Sequence, residues 1–556
     1  MPFVRSSFFI LLGALAVAGL ASPGPAAKAG DDAPIAPLLE GIGPLHHPVK
    51  GLSPEAQRYF NQGLTLHYAF NHLESVRSFE EVIRRHPDNA MAHWGIALTL
   101  GPNINDSLPD AERERRTFEE IRRARALAGT ASKKERDMIE ALAARHSGDE
   151  EVDRDALNEA YAAKMEALAE RYQEDSDIQV LYAAALMNTT PWDYWVANGQ
   201  EPKPITEKFL VALEGAIERD PDHPGAHHYY IHAVEASSDP DRGVPSATKL
   251  ETLVPVAGHL VHMPSHIWIR VGRYADAAAT NVAAVAADED YVTQCRAQGL
   301  YPVTYYPHNI HFLWAARTMQ GRSKDAMDAA YKVATKHKHE HMDEPGFGFP
   351  HLLSSLSLFA QTRFGDWDGV LAEPAPAEKM KFKRGARHFA RGMAFRARGE
   401  LDRARTELAA LKELAKDPDV VALTVWELNS LGEMLEIGAY MLAGEIASAE
   451  GDHGRAEAAL CEAVRIEDGL LYNEPADWPQ PARHSLGAVL LAAERFEAAE
   501  RVYKEDLKRH RDNGWSLRGL ITSLEGQGKH KEAAEARKRF EQAWSEADVE
   551  ITSSRF

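Results

Sequence analysis

Histidines are the residues of this chain whose number and spacing point most directly to chemistry. Nine of them lie within the 89 residues from His223 to His311, whereas ordinary usage of roughly 2% would place about two there. Neutral imidazoles are preferred ligands for zinc, copper, iron and nickel. This segment is therefore the first place to look for a metal site.

Two groups of these histidines have the spacing of one helix face. His228, His232 and Glu235 follow one another at four and three residues, which is one face at 3.6 residues per turn. His259, His262 and His266 have a similar spacing, but Pro264 lies between them. Proline removes a backbone donor, so the helix kinks or restarts there. The kink either points the two halves at a common centre or turns the last histidine away.

A third group follows Pro307, a residue type that favours helix starts. Several imidazoles with one carboxylate suit a mononuclear site with an open position. We therefore predict a site for a transition metal (copper, zinc or iron), built from His228, His232, Glu235, His259, His262, His266, His308 and His311. The alternative is a polar groove in which these histidines hydrogen-bond to Tyr229, Tyr230, Tyr305 and Tyr306.

The elements that would position these side chains belong to a repeated helical frame. In each copy a glycine ends one helix, and an alanine five residues later lets the next helix approach closely. The frame occurs at Gly272 with Ala277, Gly321 with Ala326, Gly399 with Ala404, Gly451 with Ala456 and Gly528 with Ala533, while Glu494 replaces the glycine before Ala499. The last two alanines are 34 residues apart, one tetratricopeptide period.

No stretch has the alternating pattern of a sheet, so the predicted fold is all-α. It is a tetratricopeptide-like α-solenoid, a superhelix of stacked antiparallel helix pairs with irregular repeats and insertions. We assign residues 51–371 to an N-terminal and central solenoid with the histidine-rich groove, and residues 372–380 to a proline-containing break. Residues 381–556 are predicted to form C-terminal repeats and a capping helix.

The N-terminus has the pattern of a targeting segment. Arg5 precedes an apolar run, residues 8–20, that is short for a membrane span and is followed by small residues. We predict a cleaved signal peptide over residues 1–29, a linker over residues 30–50, and a periplasmic or secreted mature protein. The alternative is an uncleaved anchor.

Several short motifs resemble a group of bacterial exported tetratricopeptide-repeat proteins, largely of unassigned function. The similarity extends from about residue 51 to the end of the chain, and its carriers include residues 59–63, 69–72, 94–95, 101–105, 259–266, 305–311, 474–478, 513–517 and 554–556. The resemblance implies the repeat fold and export but supplies no reaction.

Composition narrows the functions that remain. The net charge of −20 repels phosphate backbones, so we predict no nucleic-acid partner, and we expect no stable membrane span in the mature chain. No Gly-x-Ser-x-Gly, phosphate-binding glycine loop or nucleophilic cysteine pattern is present. Three functions stay open: a repeat protein that binds metal in its groove, a metal-dependent enzyme using the same histidines with Glu235 as general base, and a metal-free scaffold for a protein or peptide.

Overall fold

The computed structural model describes residues 34–148, 153–196, 199–295, 301–336 and 348–556. Within these ranges the chain is helical apart from turns and two antiparallel pairs of two-residue strands, and the predicted all-α, tetratricopeptide-like solenoid fold is confirmed. The predicted signal peptide, residues 1–29, lies outside the described residues. Among the described helices, none combines the length and apolar character needed to cross a membrane.

The chain forms two compact units. The first contains the residues up to Asp239 together with Thr252–Ala257. Its helices pack on their neighbours along the chain, as α1 does on α2 and α3 does on α4. Its elements are α1 Pro54–Tyr68, α2 His72–Arg85, α3 Ala90–Leu100, α4 Ala111–Leu127, α5 Lys133–Ala143, α6 Arg154–Arg171, α7 Ser176–Met187, β1 Trp195–Val196, β2 Glu201–Pro202, α8 Pro204–Arg219 and α9 Pro224–Val234.

The second unit contains Pro240–Glu251 and Gly258–Phe556. Its elements are α10 Val244–Leu253 (whose last two residues fall in the first unit), α11 Gly258–His262, α12 Pro264–Arg270, α13 Tyr274–Cys295, α14 Tyr301–Met319, α15 Ser323–Lys336, α16 Gly348–Arg363, α17 Trp367–Ala372, α18 Lys381–Ala397, α19 Leu401–Ala415, α20 Pro418–Ala422, β3 Thr424–Val425, β4 Asn429–Ser430, α21 Leu431–Ala449, α22 His453–Gly469, α23 Ala482–Ala492, α24 Phe496–Arg509, α25 Gly514–Gly526 and α26 His530–Ala543. Consecutive long helices pack against each other from α13 to α16 and from α21 to α26.

The repeated turn frame has the geometry that the sequence predicts. Its five glycines and Glu494 all have left-handed φ angles, between 55° and 81°, and its alanines are at most 3% exposed. The structure adds two copies that the glycine-to-alanine pattern did not reveal. Phe70 (φ 57°) precedes buried Ser75, and Gly365 (φ 70°) precedes buried Val370. A left-handed turn followed by a closely packed helix is thus the recurring joint of the second unit, and it occurs at Phe70 in the first.

Two segments that the sequence suggested were irregular are held in place. The backbone N–H of Ile35 donates to Glu81 Oε2 (2.9 Å) and that of Lys50 to Glu135 Oε1 (2.8 Å). The described part of the expected linker, residues 34–50, is therefore fixed on the first unit, because side chains of α2 and α5 accept its backbone donors. The proline-containing segment 372–380 lies inside the second unit, where α16 and α18 pack against each other across it.

The end of the chain is also anchored to the second unit. The expected capping helix falls in α26, which begins at His530. Beyond α26, the hydroxyl of Ser554 donates to the carbonyl of His484 (2.6 Å). Arg555 Nε lies 2.6 Å from the buried carboxylate of Glu445. These contacts hold the last residues against α21 and α23.

Aromatic rings fill the space that glycines leave between neighbouring repeats. The buried ring of Tyr503 on α24 lies between Gly487 of α23 and Gly519 of α25. A β-carbon added at Gly519 would be only 2.0 Å from Tyr503 Cζ, and one at Gly487 only 2.3 Å. Since protein interiors are close-packed, the ring can occupy this position only if both residues lack a side chain.

Gly519→Ala is expected to lower the free energy of unfolding by about 1–3 kcal/mol, because overpacking outweighs the gain in helix propensity. The matched control is Gly469→Ala at the exposed end of α22, where an added β-carbon meets no atom within 4 Å. Denaturant unfolding of both variants measures the difference. Equal stabilities would show that the Tyr503 ring moves aside without cost.

Candidate metal centre

The break at Pro264 brings two histidines of the second group together. Helix α11 ends at His262, and Pro264 is the first residue of α12. At this position the missing N–H of proline costs no helical hydrogen bond. The Nε2 atoms of His262 and His266 lie 3.0 Å apart, and both residues are at most 4% exposed. Of the two outcomes foreseen for the kink, the structure shows convergence.

The protonation pattern of His262 follows from its neighbours. Asn281 on α13 donates its Nδ2 proton to the carbonyl of Ala277 (2.7 Å), so its Oδ1 atom faces His262 Nδ1 at 2.8 Å. Ser265 Oγ, 3.2 Å from the same nitrogen, donates its own proton to the His262 carbonyl (2.7 Å). Because an amide oxygen only accepts, His262 Nδ1 carries the proton. In the neutral ring, Nε2 therefore presents a lone pair towards His266.

His266 has a carboxylate on the side of its ring that faces away from His262. Its Nδ1 atom lies 3.8 Å from Glu474 Oε2, and Arg270 Nε lies 3.9 Å from the other carboxylate oxygen. Arg270 also covers the ring of Tyr472 at 5.2 Å. A carboxylate behind the distal nitrogen is the usual partner of a metal-binding histidine. Glu474 is therefore placed to orient the imidazole of His266.

His308 on α14 completes a trio with these two histidines. Its ring centroid is 5.0 Å from that of His262 and 5.8 Å from that of His266. One ring nitrogen from each of the three lies within 4.8 Å of the other two. The buried ring of Phe312, 4.5–4.8 Å from all three imidazoles, forms an apolar wall beside them.

The prediction that Pro307 starts the helix of His308 is wrong. Helix α14 begins at Tyr301, and Pro307 lies inside it. The position is in the second turn, so proline forfeits only the hydrogen bond to the carbonyl of Val303. Because α14 already begins at Tyr301, His308 lies inside the helix, and the helix backbone fixes the direction of its side chain.

Two other predicted ligands of the second unit lie beside the trio in different surroundings. The ring of His259 stacks on that of His262 at 5.9 Å and lies 4.7 Å from Tyr305. His311 stacks on Trp314 at 5.6 Å, and neither of its ring nitrogens has a hydrogen-bond partner among the described residues. Burial lowers the pKa of His311 to about 3. The trio of closely spaced nitrogens does not include His311.

In the first unit, the structure brings together the other three predicted ligands. His228 Nδ1 donates to the carbonyl of Tyr68 (2.6 Å), and His232 Nδ1 donates to Glu235 Oε1 (2.7 Å). One nitrogen of each imidazole lies within 4.8 Å of the other. Trp192 contacts the His232 ring edge-on at 5.0 Å. The spacing of this group was thus predicted correctly, with Glu235 positioned as a partner of His232.

The tyrosines next to these histidines have other partners. Tyr230 donates its hydroxyl proton to Glu214 (2.9 Å), and Tyr306 donates to Glu289 (2.8 Å). Tyr229 stacks on His228 with rings 5.4 Å apart. The polar-groove alternative requires the four tyrosine hydroxyls to hydrogen-bond to the histidines. Two of these hydroxyls, those of Tyr230 and Tyr306, instead donate to carboxylates.

Residues that the sequence did not single out are important for the site. Asn281 and Phe312 have no local signal, because an asparagine or a phenylalanine inside a helix is ordinary. Glu474 belongs to one of the motifs that carry the family resemblance, but sequence spacing alone does not connect it to His266, more than 200 residues earlier. Only the tertiary structure shows that Asn281, Phe312 and Glu474 lie close to the histidines.

Comparison with known proteins identifies the repeat type. A family model for the tetratricopeptide repeat matches residues 437–469, which cover most of α21 and all of α22. No curated protein matches the chain. Among solved structures, the chain is similar to a human IFIT1 dimer with m7Gppp-AAAA, at 12% identity and a TM-score of 0.31 over 88% of this chain and 91% of that one. It is also similar to yeast Tom70, at 11% identity and a TM-score of 0.29 over 87% and 92%.

His311→Leu should make the protein less sensitive to acid. The folded-state pKa of about 3 lies below the unfolded value of about 6.5, so wild-type stability falls as pH drops through this window. The leucine variant does not lose stability in this way. Its free energy of unfolding relative to that of the wild type should therefore rise by about 1 kcal/mol or more between pH 7 and pH 5. Urea unfolding across this range provides the measurement.

The control is His530→Leu, which removes a histidine at an exposed position of α26. Parallel stability curves for wild type and His311→Leu would contradict the assignment of His311 to the apolar core. Loss of bound metal in the same variant would instead make His311 a ligand.

Proposed function

We propose that the chain is a tetratricopeptide-repeat binding protein that holds a transition metal through His262, His266 and His308. The observation that carries the proposal is the 3.0 Å separation of the Nε2 atoms of His262 and His266. The lone pair of His262 Nε2 points at this contact. The contact is attractive either when the Nε2 of His266 carries a proton and donates it, or when a metal ion lies between the two nitrogens.

The third imidazole favours the metal ion. Zinc–nitrogen bonds of about 2.0–2.1 Å in a tetrahedral site place ligand nitrogens about 3.3 Å apart. The pair of His262 and His266 is already near this value, and the trio lies within 4.8 Å. To reduce a nitrogen–nitrogen distance of 4.8 Å to about 3.3 Å, His308 would have to move by at most about 1.5 Å. A shared proton needs only two of the nitrogens, whereas a metal uses all three.

The ligand set and its surroundings indicate the type of metal. Three imidazoles without a thiolate suit zinc, copper or iron, and three protein ligands leave a fourth position for water or a small ligand. Asn281 supplies the outer hydrogen bond that orients such a ligand, and Glu474, 3.8 Å from His266 Nδ1, supplies a nearby carboxylate. The ring of Phe312 packs against all three imidazoles and excludes water from one side of the site.

Replacing both His262 and His266 by alanine should abolish near-stoichiometric metal while leaving far-UV circular dichroism nearly unchanged. The measurement is elemental analysis of tag-free protein after equilibration with zinc or copper and dialysis. His530→Ala, which removes an exposed histidine of the same unit, should retain wild-type metal content. Asn281→Leu should weaken affinity by about 10–100-fold, because it removes only the orienting group.

A double variant that keeps the wild-type metal content would refute the site. If the wild type itself takes up neither zinc nor copper tightly, the 3.0 Å contact is a hydrogen bond between imidazoles, and the metal function is wrong.

Binding of a protein or peptide partner in the repeat groove is the second part of the proposal. Support comes from the second unit, whose helices already hold a non-helical segment through Ser554, Arg555 and their partners His484 and Glu445. Stacked repeats can therefore bind the polar and charged side chains of a non-helical chain through both helix carbonyls and helix carboxylates.

Export is the third part of the proposal, and it rests on the apolar run between Phe8 and Leu20 behind Arg5. The mature protein should lack residues 1–29 when it is recovered from the periplasm or the medium, as measured by N-terminal sequencing. Leu12→Arg should interrupt the run and leave the full-length chain in the cytoplasm. An intact N-terminus on wild-type exported protein would contradict a cleaved signal.

A further inference from the structure

Two of the motifs noted in the sequence have no part in the metal centre. The Phe70-Asn71-His72 segment joins α1 to α2, and the Gly101–Asn105 segment follows α3 in the first unit. A β-carbon added at Gly101 would lie 3.3 Å from Cε1 of His146, so the second segment passes close to the residues that follow α5. Both segments border a buried polar cluster.

Arg145 is the charged member of this cluster. Its side chain is buried, with the residue 3% exposed, and its Nε donates to Asn158 Oδ1 (3.0 Å). Its guanidinium group lies 5.1 Å from the centre of the Tyr161 ring. Its Nη2 atom has no hydrogen-bond partner in the described part of the chain. Burial lowers the pKa of Arg145 to about 10, which still leaves it charged at neutral pH.

Glu114, an acidic residue near Arg145, already forms an ion pair with another arginine. Glu114 pairs with Arg154 at 2.6 Å, and its carboxylate is 3.5 Å from His146 Nδ1. These contacts lower the pKa of Glu114 despite its partial burial, so it is ionised and committed to Arg154. The charge of Arg145 is therefore not compensated by a paired carboxylate among the residues described.

Buried histidines lie beside this guanidinium group. Burial, with a smaller contribution from Arg145, lowers the pKa of His67 to about 3. The His67 ring centroid is 6.2 Å from that of His72, whose pKa burial also lowers. His67 Nδ1, His72 Nε2 and both ring nitrogens of His146 have no hydrogen-bond partner within the described ranges. Neutral imidazoles offer one donor and one acceptor each.

Two asparagines of the same motifs also carry buried polar atoms without a partner among the described residues. Asn71 precedes α2 in the capping position, yet its side chain makes no capping hydrogen bond, and its buried Oδ1 has no partner in the described chain. Asn103 accepts from the backbone of Asn105 (2.9 Å), while its buried Nδ2 has no partner there either. Phe70, immediately before Asn71, is held at a φ of 57°, which costs a non-glycine residue of order 1 kcal/mol.

We propose that this cluster, formed by Arg145 with His67, His72 and His146, is a binding site for a small oxyanion, a carboxylate or a phosphate group. A buried charge without a paired carboxylate is costly, and an anion of opposite charge removes most of that cost. The Nη2 atom of Arg145 supplies donors for the anionic oxygens. A neutral imidazole of the cluster can add a further N–H donor.

The ligand is too small to be a peptide and is not a metal. The described residues around Arg145 do not include three metal-ligating atoms within one coordination shell, and the guanidinium group would repel a cation. The burial of Arg145 favours a compact polar molecule. The site would give the first unit a ligand of its own, independent of the metal in the second unit.

The test compares the intact chain with Arg145→Met, using inorganic phosphate and acetate as separate probes in chloride buffer. Calorimetric titration and the thermal midpoint should show saturable binding of at least one probe to the wild type. Arg145→Met should weaken this binding at least tenfold. Because methionine fills the space without charge, the variant should match or exceed wild-type stability without the anion. Arg122→Met, at an exposed position of α4, should bind like the wild type.

A response to phosphate alone would identify phosphate esters as the ligand class, and a response to acetate alone would identify carboxylic acids. Binding that survives in Arg145→Met would overturn the proposal. It would also fail if neither probe bound saturably to the wild type, since the cluster would then be a hydrated structural feature.

Discussion

The structure depends on one recurring constraint, the close approach of two helices across a left-handed turn. A helical pair cannot bury its apolar faces alone, so each pair needs a neighbour and each turn must leave room for it. Buried alanines five residues after the turn provide that room, and Tyr503 fills the space left by Gly487 and Gly519. The same close packing also fixes the direction of the polar side chains. A helix that is held in place by its neighbours keeps its histidines pointing the same way. The candidate sites are therefore consequences of the repeat packing.

The metal centre shows how a break in this packing becomes useful. Repeats with uninterrupted helices present side chains along one line, whereas Pro264 ends one short helix and begins another between His262 and His266. The two imidazoles then meet edge to edge instead of stacking in parallel, with ring planes 78° apart. His308 approaches from the next helix of the same unit. A metal ion needs ligands that converge from several directions, and this arrangement of α11, α12 and α14 meets that need.

Much of this could be predicted from local spacing. Glycines marked five of the turns, and Glu494 was found because the surrounding frame was intact, but Phe70 was missed because a bulky residue is rare at a left-handed position. The histidine groups were found by helical periodicity, which gives the face of a helix but not what the face contacts. His311 therefore received the same assignment as His308, although one packs on Trp314 and the other on His262. Contacts such as those of Asn281 and Glu474 depend on packing between distant segments, which spacing cannot reveal.

A second buried histidine of the same unit shows what a purely structural imidazole looks like here. His484 accepts from Arg363 at Nδ1 (2.8 Å) and donates to Asp506 from Nε2 (3.1 Å), so each nitrogen has a charged partner. Burial lowers its pKa to about 4, which keeps the ring neutral and the network fixed. The contact between His262 and His266 is different, because both partners are imidazoles and a third, that of His308, lies beside them. A metal ion is a partner that could bind all three rings at once, whereas the ion pairs of His484 leave no place for one. That contrast is the physical argument for a ligand at the trio.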